Sequence, residues 1–153
     1  MVCLGNICRS PLAHGVLENL SREQDLGWYI DSAGTSNWHA GEAPDPRAIQ
    51  CARSSGIDIR QQRSRQVTLA DFERFDWLLA MDKSNYHHLQ QMAPKGTLHK
   101  VRLLLEYWPD APVQEVPDPY YNDAFDEAYQ LIHKACQHLI AQFEPEPAQD
   151  SLK

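Results

Sequence analysis

Cys3-Leu4-Gly5-Asn6-Ile7-Cys8-Arg9-Ser10-Pro11 is the stretch on which the reading of this chain turns. Immediately after it, Leu12, Ala13, Val16, Leu17 and Leu20 form an apolar stripe at helical spacing, and Pro11 suits the first turn of that helix. The stretch therefore lies where a first strand hands over to a first helix. Its amides can point inward at the positive end of the helix, which makes an anion site. It lacks the glycine-lysine pair of a nucleotide-binding loop, so a phosphate there is not held as a nucleoside triphosphate is. Instead there is a thiol at one end and a guanidinium six residues later. A thiol at the base of a ring of amides, beside Arg9 and the Ser10 hydroxyl, should have its thiolate strongly stabilised, making Cys3 a nucleophile. The planar fork of Arg9 can grip two phosphoryl oxygens, which a lysine cannot do with the same geometry. Gly5 and Asn6 are residue types that tolerate positive φ, as a tight loop requires. In isolation Cys3 would read as a small buried hydrophobe, and Cys8 as loop filler.

Working outward, strand and helix signals alternate. Trp28–Ala33 reads as a strand entering a Gly, Asn and Pro loop from Gly34 to Asp45. A helix should run from Asp45 or Pro46 to about Ser55, closed by Gly56. Asp76–Met81 is a near-continuous apolar run, as a strand covered on both faces should be, between helical patterns at Thr68–Phe75 and Ser84–Met92. Val101–Leu105 reads as a further strand. Phe125, Ala128, Tyr129, Ile132, Cys136, Leu139, Ile140 and Phe143 mark one face of a last helix. The prolines of Glu144-Pro145-Glu146-Pro147 should end it and leave a frayed tail. The expectation is an α/β fold: a four-stranded, mostly parallel sheet with helices on both faces, in three layers. Its phosphate-binding loop lies between the first strand and the first helix, and ligands bind beyond the carboxyl ends of the strands. Only Met1 and Val2 precede Cys3, so the first strand reads as truncated, with the sheet's middle hydrogen bonds left unpaired. A true start upstream of Met1 is the preferred explanation, and an impaired chain the other.

At 153 residues, 42% hydrophobic and 23% charged, residues 1–153 are expected to form one compact domain with no membrane-spanning run. No secretion signal opens the chain, which suggests a cytoplasmic location in which Cys3, Cys8, Cys51 and Cys136 stay unpaired. Net charge is −7, and from Leu104 to Lys153 ten acids face two bases. That balance argues against nucleic acid as a partner. A metal site on Cys3, Cys8 and His14 lacks a fourth ligand, and no metal or other cofactor is expected. Cys51 and Cys136 lie on apolar helix faces and read as core. Asp118 before Pro119 could be only a turn former, and Trp38, Tyr120 and Tyr121 only surface packing.

The C-L-G-N-I-C-R-S-P stretch resembles the phosphate loop of the low-molecular-weight protein tyrosine phosphatases. The likeness continues through Asp31–Ser36, Trp38-His39, Asp45–Ala48, Arg65–Thr68, Ala80–Asp82 with Ser84-Asn85, and Asp118–Tyr121. It implies a two-step hydrolysis of phosphotyrosine without metal: Cys3 attacks phosphorus, a cysteinyl-phosphate forms, and water releases phosphate. A tyrosinate leaving group, with a free pKa of ~10, needs an acid above the loop, and the resemblance assigns this to Asp118. It further implies phosphate binding by Leu4, Gly5, Asn6, Ile7, Cys8 and Ser10, loop support by Asn6, Ser10 and Ser32, and a redox role for Cys8, which can trap an oxidised Cys3. Trp38, Tyr120 and Tyr121 become the walls of the substrate pocket. The implied partners are phosphotyrosine proteins or small aryl phosphates, with no membrane and no nucleic acid, acting on a monomer that can self-associate weakly. His14 and Gln62 depart from the family's usual acid and histidine. Arsenate reduction would need further cysteines, and Asp82–Leu98 has none. The alternatives are a protein arginine phosphatase, which usually has threonine where this chain has Ile7, and an impaired phosphotyrosine-binding protein should the first strand be absent.

Overall fold

The alternating signals resolve into four parallel strands and five α-helices in a computed structural model that describes residues 1–143. In chain order they are β1 (Val2–Cys3), α1 (Arg9–Glu23), β2 (Ala33–Gly34), α2 (Pro46–Ser54), α3 (Leu69–Arg74), β3 (Leu78–Ala80), α4 (Lys83–Met92), β4 (Val101–Leu103) and α5 (Phe125–Ala141). The stretch Glu144–Pro147 lies outside the described residues. The sheet order is β2-β1-β3-β4 and every pairing is parallel, so "mostly parallel" becomes wholly parallel.

The first strand is as short as expected, yet it is not unpaired. Ala33 N–H donates to Met1 O, Thr35 N–H to Cys3 O and Met81 N–H to Val2 O, at 2.9–3.0 Å, so two residues are bonded on both edges at the centre of the sheet. The expected open middle is therefore closed. β2 is also shorter than the aromatic run Trp28–Ala33 implied. It can pair only where β1 runs beside it, which confines it to Ala33–Gly34.

Alternation along the strands builds two cores. Cys3, Leu79 and Met81 pack against α1, α2 and α5, while Val2, Leu78 and Ala80 pack with Phe72 of α3 and Leu89 of α4. The stripe read from the sequence is the buried face of α1, with Leu12, Ala13 and Val16 no more than 1% exposed. A side chain of Leu or Val size buried this way is worth roughly 1.5–3 kcal/mol. Helix starts follow local chemistry. Asp45 accepts the Arg47 N–H ahead of Pro46, Thr68 and Asp71 close a capping box on α3, and Asp82 accepts the Asn85 N–H at the start of α4. The Asp45 and Asp82 turns meet the loop that follows β1, through Ile7 O and Arg9, at the carboxyl edge of the sheet where the neighbours of β1 lead away in opposite chain directions, the usual ligand position in open parallel sheets.

Candidate active site

β1 ends at Cys3 and α1 begins at Arg9, with Cys8 at the helix N-cap. The carbonyls of the intervening loop are drawn outward. Leu4 O accepts the Ser36 N–H and Oγ–H at 3.0 and 2.9 Å, Gly5 O the Ser64 Oγ–H at 3.0 Å, and Ile7 O the Asp45 N–H at 2.8 Å. Every peptide here is trans, so each N–H points opposite to the preceding C=O. Tying those three carbonyls outward turns the N–H groups of Gly5, Asn6 and Cys8 inward. The Asn6 N–H accordingly donates to Cys3 Sγ at 3.3 Å.

Asn6 holds the loop's shape. Its φ of +54° is tolerated by asparagine, its Nδ2 donates to Ser10 Oγ (2.8 Å) and Ser32 Oγ (3.0 Å), and its Oδ1 accepts the Arg65 N–H (3.1 Å). Ser10 Oγ lies 3.0 Å from Cys3 Sγ, so one chain of contacts joins Ser32, Asn6, Ser10 and Cys3. Gly5 differs from expectation, because only Asn6 of the pair has positive φ. A Cβ at Gly5 would lie 3.1 Å from His39 Cδ2, so glycine is there for close approach rather than for a left-handed turn. Gly34 is stricter: a Cβ there would lie 2.8 Å from Leu4 O, which lets β2 press against the loop.

The guanidinium of Arg9 is 3% exposed and fixed in direction. Nη1 donates to Asp82 Oδ2 at 2.7 Å and Val116 O at 3.0 Å, while Nη2 lies 3.6 Å from Asp118 Oδ2. Burial works against its charge, but Cys3 and Asp82 outweigh that and raise its pKa, so it stays a cation. Asp118 does form a turn, accepting the Tyr120 N–H at 3.0 Å, and its other oxygen faces Arg9.

Cys3, Leu4, Gly5, Ile7, Cys8 and Arg9 floor a cavity of about 330 Å³ whose walls are Trp38, His39, Asp118, Tyr120 and Tyr121. Trp38 and Tyr121 stand out at 71% and 85% exposed. Burial first, then Asp45, pushes the Cys8 thiol up to about 12, so it is neutral at ordinary pH. Ser10 and Ser32 are buried behind the floor. Among the described residues, no group of three or more His, Cys, Asp or Glu is placed to hold a metal ion.

The family model for low molecular weight phosphotyrosine protein phosphatases matches residues 1–149. The chain belongs to that family. It is 40% identical over 148 residues to a low molecular weight protein-tyrosine-phosphatase of Bacillus subtilis, covering 95% of this chain and 94% of that one. A protein tyrosine phosphatase structure from Entamoeba histolytica superposes with a TM-score of 0.89 at 35% identity, over 94% of each chain. A Drosophila arginine phosphatase superposes at 0.88 with 31% identity, over 95% of this chain and 97% of that one.

The sequence of this phosphatase points to the loop and, through the resemblance, to Asn6, Ser10 and Ser32 as its support, but not to the groups that tie the loop and Arg9 from outside. Asp82, Ser36 and Asp45 sit inside the matching blocks and Ser64 just before one, none with a role in the site attached, and His39 carries no spacing that compels a role. Asp82 had one local signal, a carboxylate at the carboxyl end of an apolar strand. The serines had none, because their partners are carbonyls some 30 to 60 residues away. His14 and Gln62, noted as departures, do reach the loop's surroundings. His14 Nδ1 lies 3.2 Å from Ser32 Oγ, and Gln62 Nε2 donates to Pro11 O at 3.2 Å.

Proposed function

We propose that this phosphatase hydrolyses phosphotyrosine in proteins through a cysteinyl-phosphate intermediate. The observation that carries the reading is the convergence of Cys3 Sγ, the guanidinium of Arg9 and the carboxyl group of Asp118 on one cavity. The dianionic phosphoryl group sits on the inward N–H groups and Arg9, placing phosphorus against Sγ. Sγ forms a bond to phosphorus as the phosphorus–oxygen bond to tyrosine breaks, and Asp118 gives its proton to the departing phenolate oxygen. A neutral acid is also the form that a bound dianion tolerates beside it. In the second step the Asp118 carboxylate takes a proton from water, whose oxygen attacks phosphorus. The sulfur–phosphorus bond breaks, inorganic phosphate leaves, and the Cys3 thiolate and the Asp118 acid are restored. Trp38, Tyr120 and Tyr121 give faces for an aromatic ring on a stem long enough to reach the floor. Four unpaired cysteines suit a reducing, cytoplasmic setting.

A phosphoarginine substrate is the second reading, favoured by the likeness to the Drosophila arginine phosphatase. Against it stand the bulk of Ile7 in the floor and the aromatic walls. Phosphate release from phosphotyrosine and phosphoarginine peptides, by wild type and Cys3→Ser, separates the readings. Turnover of phosphotyrosine that Cys3→Ser abolishes is expected. Preference for phosphoarginine replaces the substrate, and activity surviving in Cys3→Ser overturns the mechanism.

A further inference from the structure

We propose that Arg47, outside the cavity, is a positioning residue for the leaving-group step, tying the segment that carries Asp118 to the phosphate loop. This rests on the mechanism proposed above.

Arg47 belongs to the first turn of α2, and its guanidinium makes contacts in two directions. Toward its own helix start, Nε and Nη2 hold both oxygens of Asp45, at 3.0 and 2.9 Å. Toward the acid segment, Nη1 donates to Tyr120 O at 3.1 Å and to Asp123 Oδ1, and the guanidinium lies over the rings of Tyr120 and Phe125, at 5.4 and 4.8 Å from their centroids. Asp45 in turn donates its N–H to Ile7 O in the phosphate loop. The path from Ile7 through Asp45 and Arg47 to Tyr120 and Asp123 links the phosphate loop to the acid segment outside the cavity lining. It holds the segment on both sides of Tyr120, which itself donates to Asp118.

Before Asp118 the segment is anchored by Val116, whose N–H donates to Met81 O and whose O accepts from Arg9, and just after it by the buried Pro119, but from there to Asp123 other anchors are few. Asp118 meets Arg9 only at 3.6 Å, Tyr121 is 85% exposed, and Asp123 has a φ of +58°. A lysine could reach one of these acceptors but not grip Asp45 in a fork, reach Tyr120 O and stack on two rings at once. A role confined to capping α2 is a poor account of this geometry, because the cap itself is the Arg47 backbone N–H on Asp45 Oδ1, which any residue would supply. Removing the guanidinium also bares the carboxylates of Asp45 and Asp123 near the site, which weakens binding of every phosphate ester alike. What marks positioning of the acid is therefore the ratio of losses between a poor and a good leaving group, in which a uniform loss cancels.

The test compares kcat/KM for phosphotyrosine and for p-nitrophenyl phosphate, whose phenol is the stronger acid. The proteins are wild type, Arg47→Ala, Arg47→Lys, Asp118→Ala and the Arg47→Ala/Asp118→Ala double variant. Misplacing a catalytic group by about an ångström can cost ~10²-fold, and Asp118 keeps its turn, so Arg47→Ala should lower phosphotyrosine turnover about tenfold more than p-nitrophenyl phosphate turnover. Arg47→Lys should restore part of that ratio. In the Asp118→Ala background, adding Arg47→Ala should leave the ratio unchanged, since there is no acid left to position. Equal losses on the two esters in Arg47→Ala, or a ratio shift that persists without Asp118, overturn the proposal. If Asp118→Ala itself shows no dependence on leaving group, the acid assignment fails and the role of Arg47 fails with it. Where Arg47→Ala does not fold, Asp123→Asn cuts the same tie from the far side and should shift the ratio in the same direction by less. No shift there also overturns the proposal.

Discussion

The phosphate loop and the acid segment face each other across one cleft and are built in opposite ways. From Cys3 to Ser10 most side chains are buried, carbonyls are tied outward to three other segments, and Asn6 alone makes three side-chain hydrogen bonds. From Asp118 to Asp123 the chain is mostly exposed around one buried residue, Pro119, with Tyr121 85% exposed, and Arg47 makes most of its side-chain cross-links. The difference follows from the two tasks. An anion cradle stabilises charge only if its donors are already aimed, since turning them during the reaction would consume the energy they supply. A proton donor needs only to meet one oxygen, and it must admit and release an aromatic ring. Its segment can be held at a few points and still act.

The sharpest way to break this contrast is Arg9→Lys. Lysine could keep one bond to Asp82 but not the fork that also meets Val116 O and a phosphoryl group, so kcat/KM should fall ~10²–10³-fold, as for loss of an oxyanion donor. The fall should be the same for phosphotyrosine and p-nitrophenyl phosphate, because the cradle acts on the phosphoryl group whatever leaves. A loss confined to phosphotyrosine would mean that the loop also governs the proton, and the division of labour would be gone.

Asp118→Asn sharpens the other half. Asparagine keeps the acceptor for the Tyr120 N–H and so preserves the turn, but it has no proton to give. Phosphotyrosine turnover should drop ~10²-fold or more, the usual worth of a general acid, and p-nitrophenyl phosphate turnover far less. Steady-state rates on the two esters decide this, and equal losses would remove Asp118 from the acid role.

The same contrast explains what could be read from the chain alone. A cradle needs residue types that little else can replace, so Cys3, Asn6, Arg9 and Ser10 announce themselves at fixed spacing within one short stretch. Helix faces were likewise legible, since α1 and α5 bury most of the periodic positions, although Phe143 falls beyond the end of α5 at Ala141 and is exposed. Strand lengths were not. Trp28-Tyr29-Ile30 has strand composition, yet a strand extends only as far as a neighbour pairs with it, and Val2–Cys3 sets that limit. Truncation was read as a gap in the sheet because composition cannot show that two residues are enough when both edges are bonded. Arg47 was invisible for a related reason. Its partners lie on its own helix start and more than 70 residues away, and an arginine in a helix's first turn is ordinary until Tyr120 and Asp123 are seen beneath it.

The smallest expected effect tests how far the phosphate loop is part of the core rather than part of the surface. Cys8 packs in the same apolar cluster as Cys51 and Cys136. Burial pushes the thiols of Cys8 and Cys136 up to about 12 and that of Cys51 to about 11, from an ordinary value of 9.0. Folded-state values above the unfolded ones mean that between pH 9 and 12 the unfolded chain gives up protons that the folded chain keeps. Stability is therefore full below pH 9 and falls as pH rises through that window. For Cys136, with no exposed surface, the slope is up to about 1.4 kcal/mol per pH unit. Thermal unfolding midpoints should decline from pH 9 upward, and less steeply in Cys136→Val, which fills the site with no proton to lose. The acid segment has no thiol to take part, so tryptophan fluorescence, to which Trp28 and Trp108 packed against this core contribute, should follow the transition. A flat midpoint across the window, or an unchanged slope in Cys136→Val, would mean that these thiols meet water, and the loop could no longer be counted with the core.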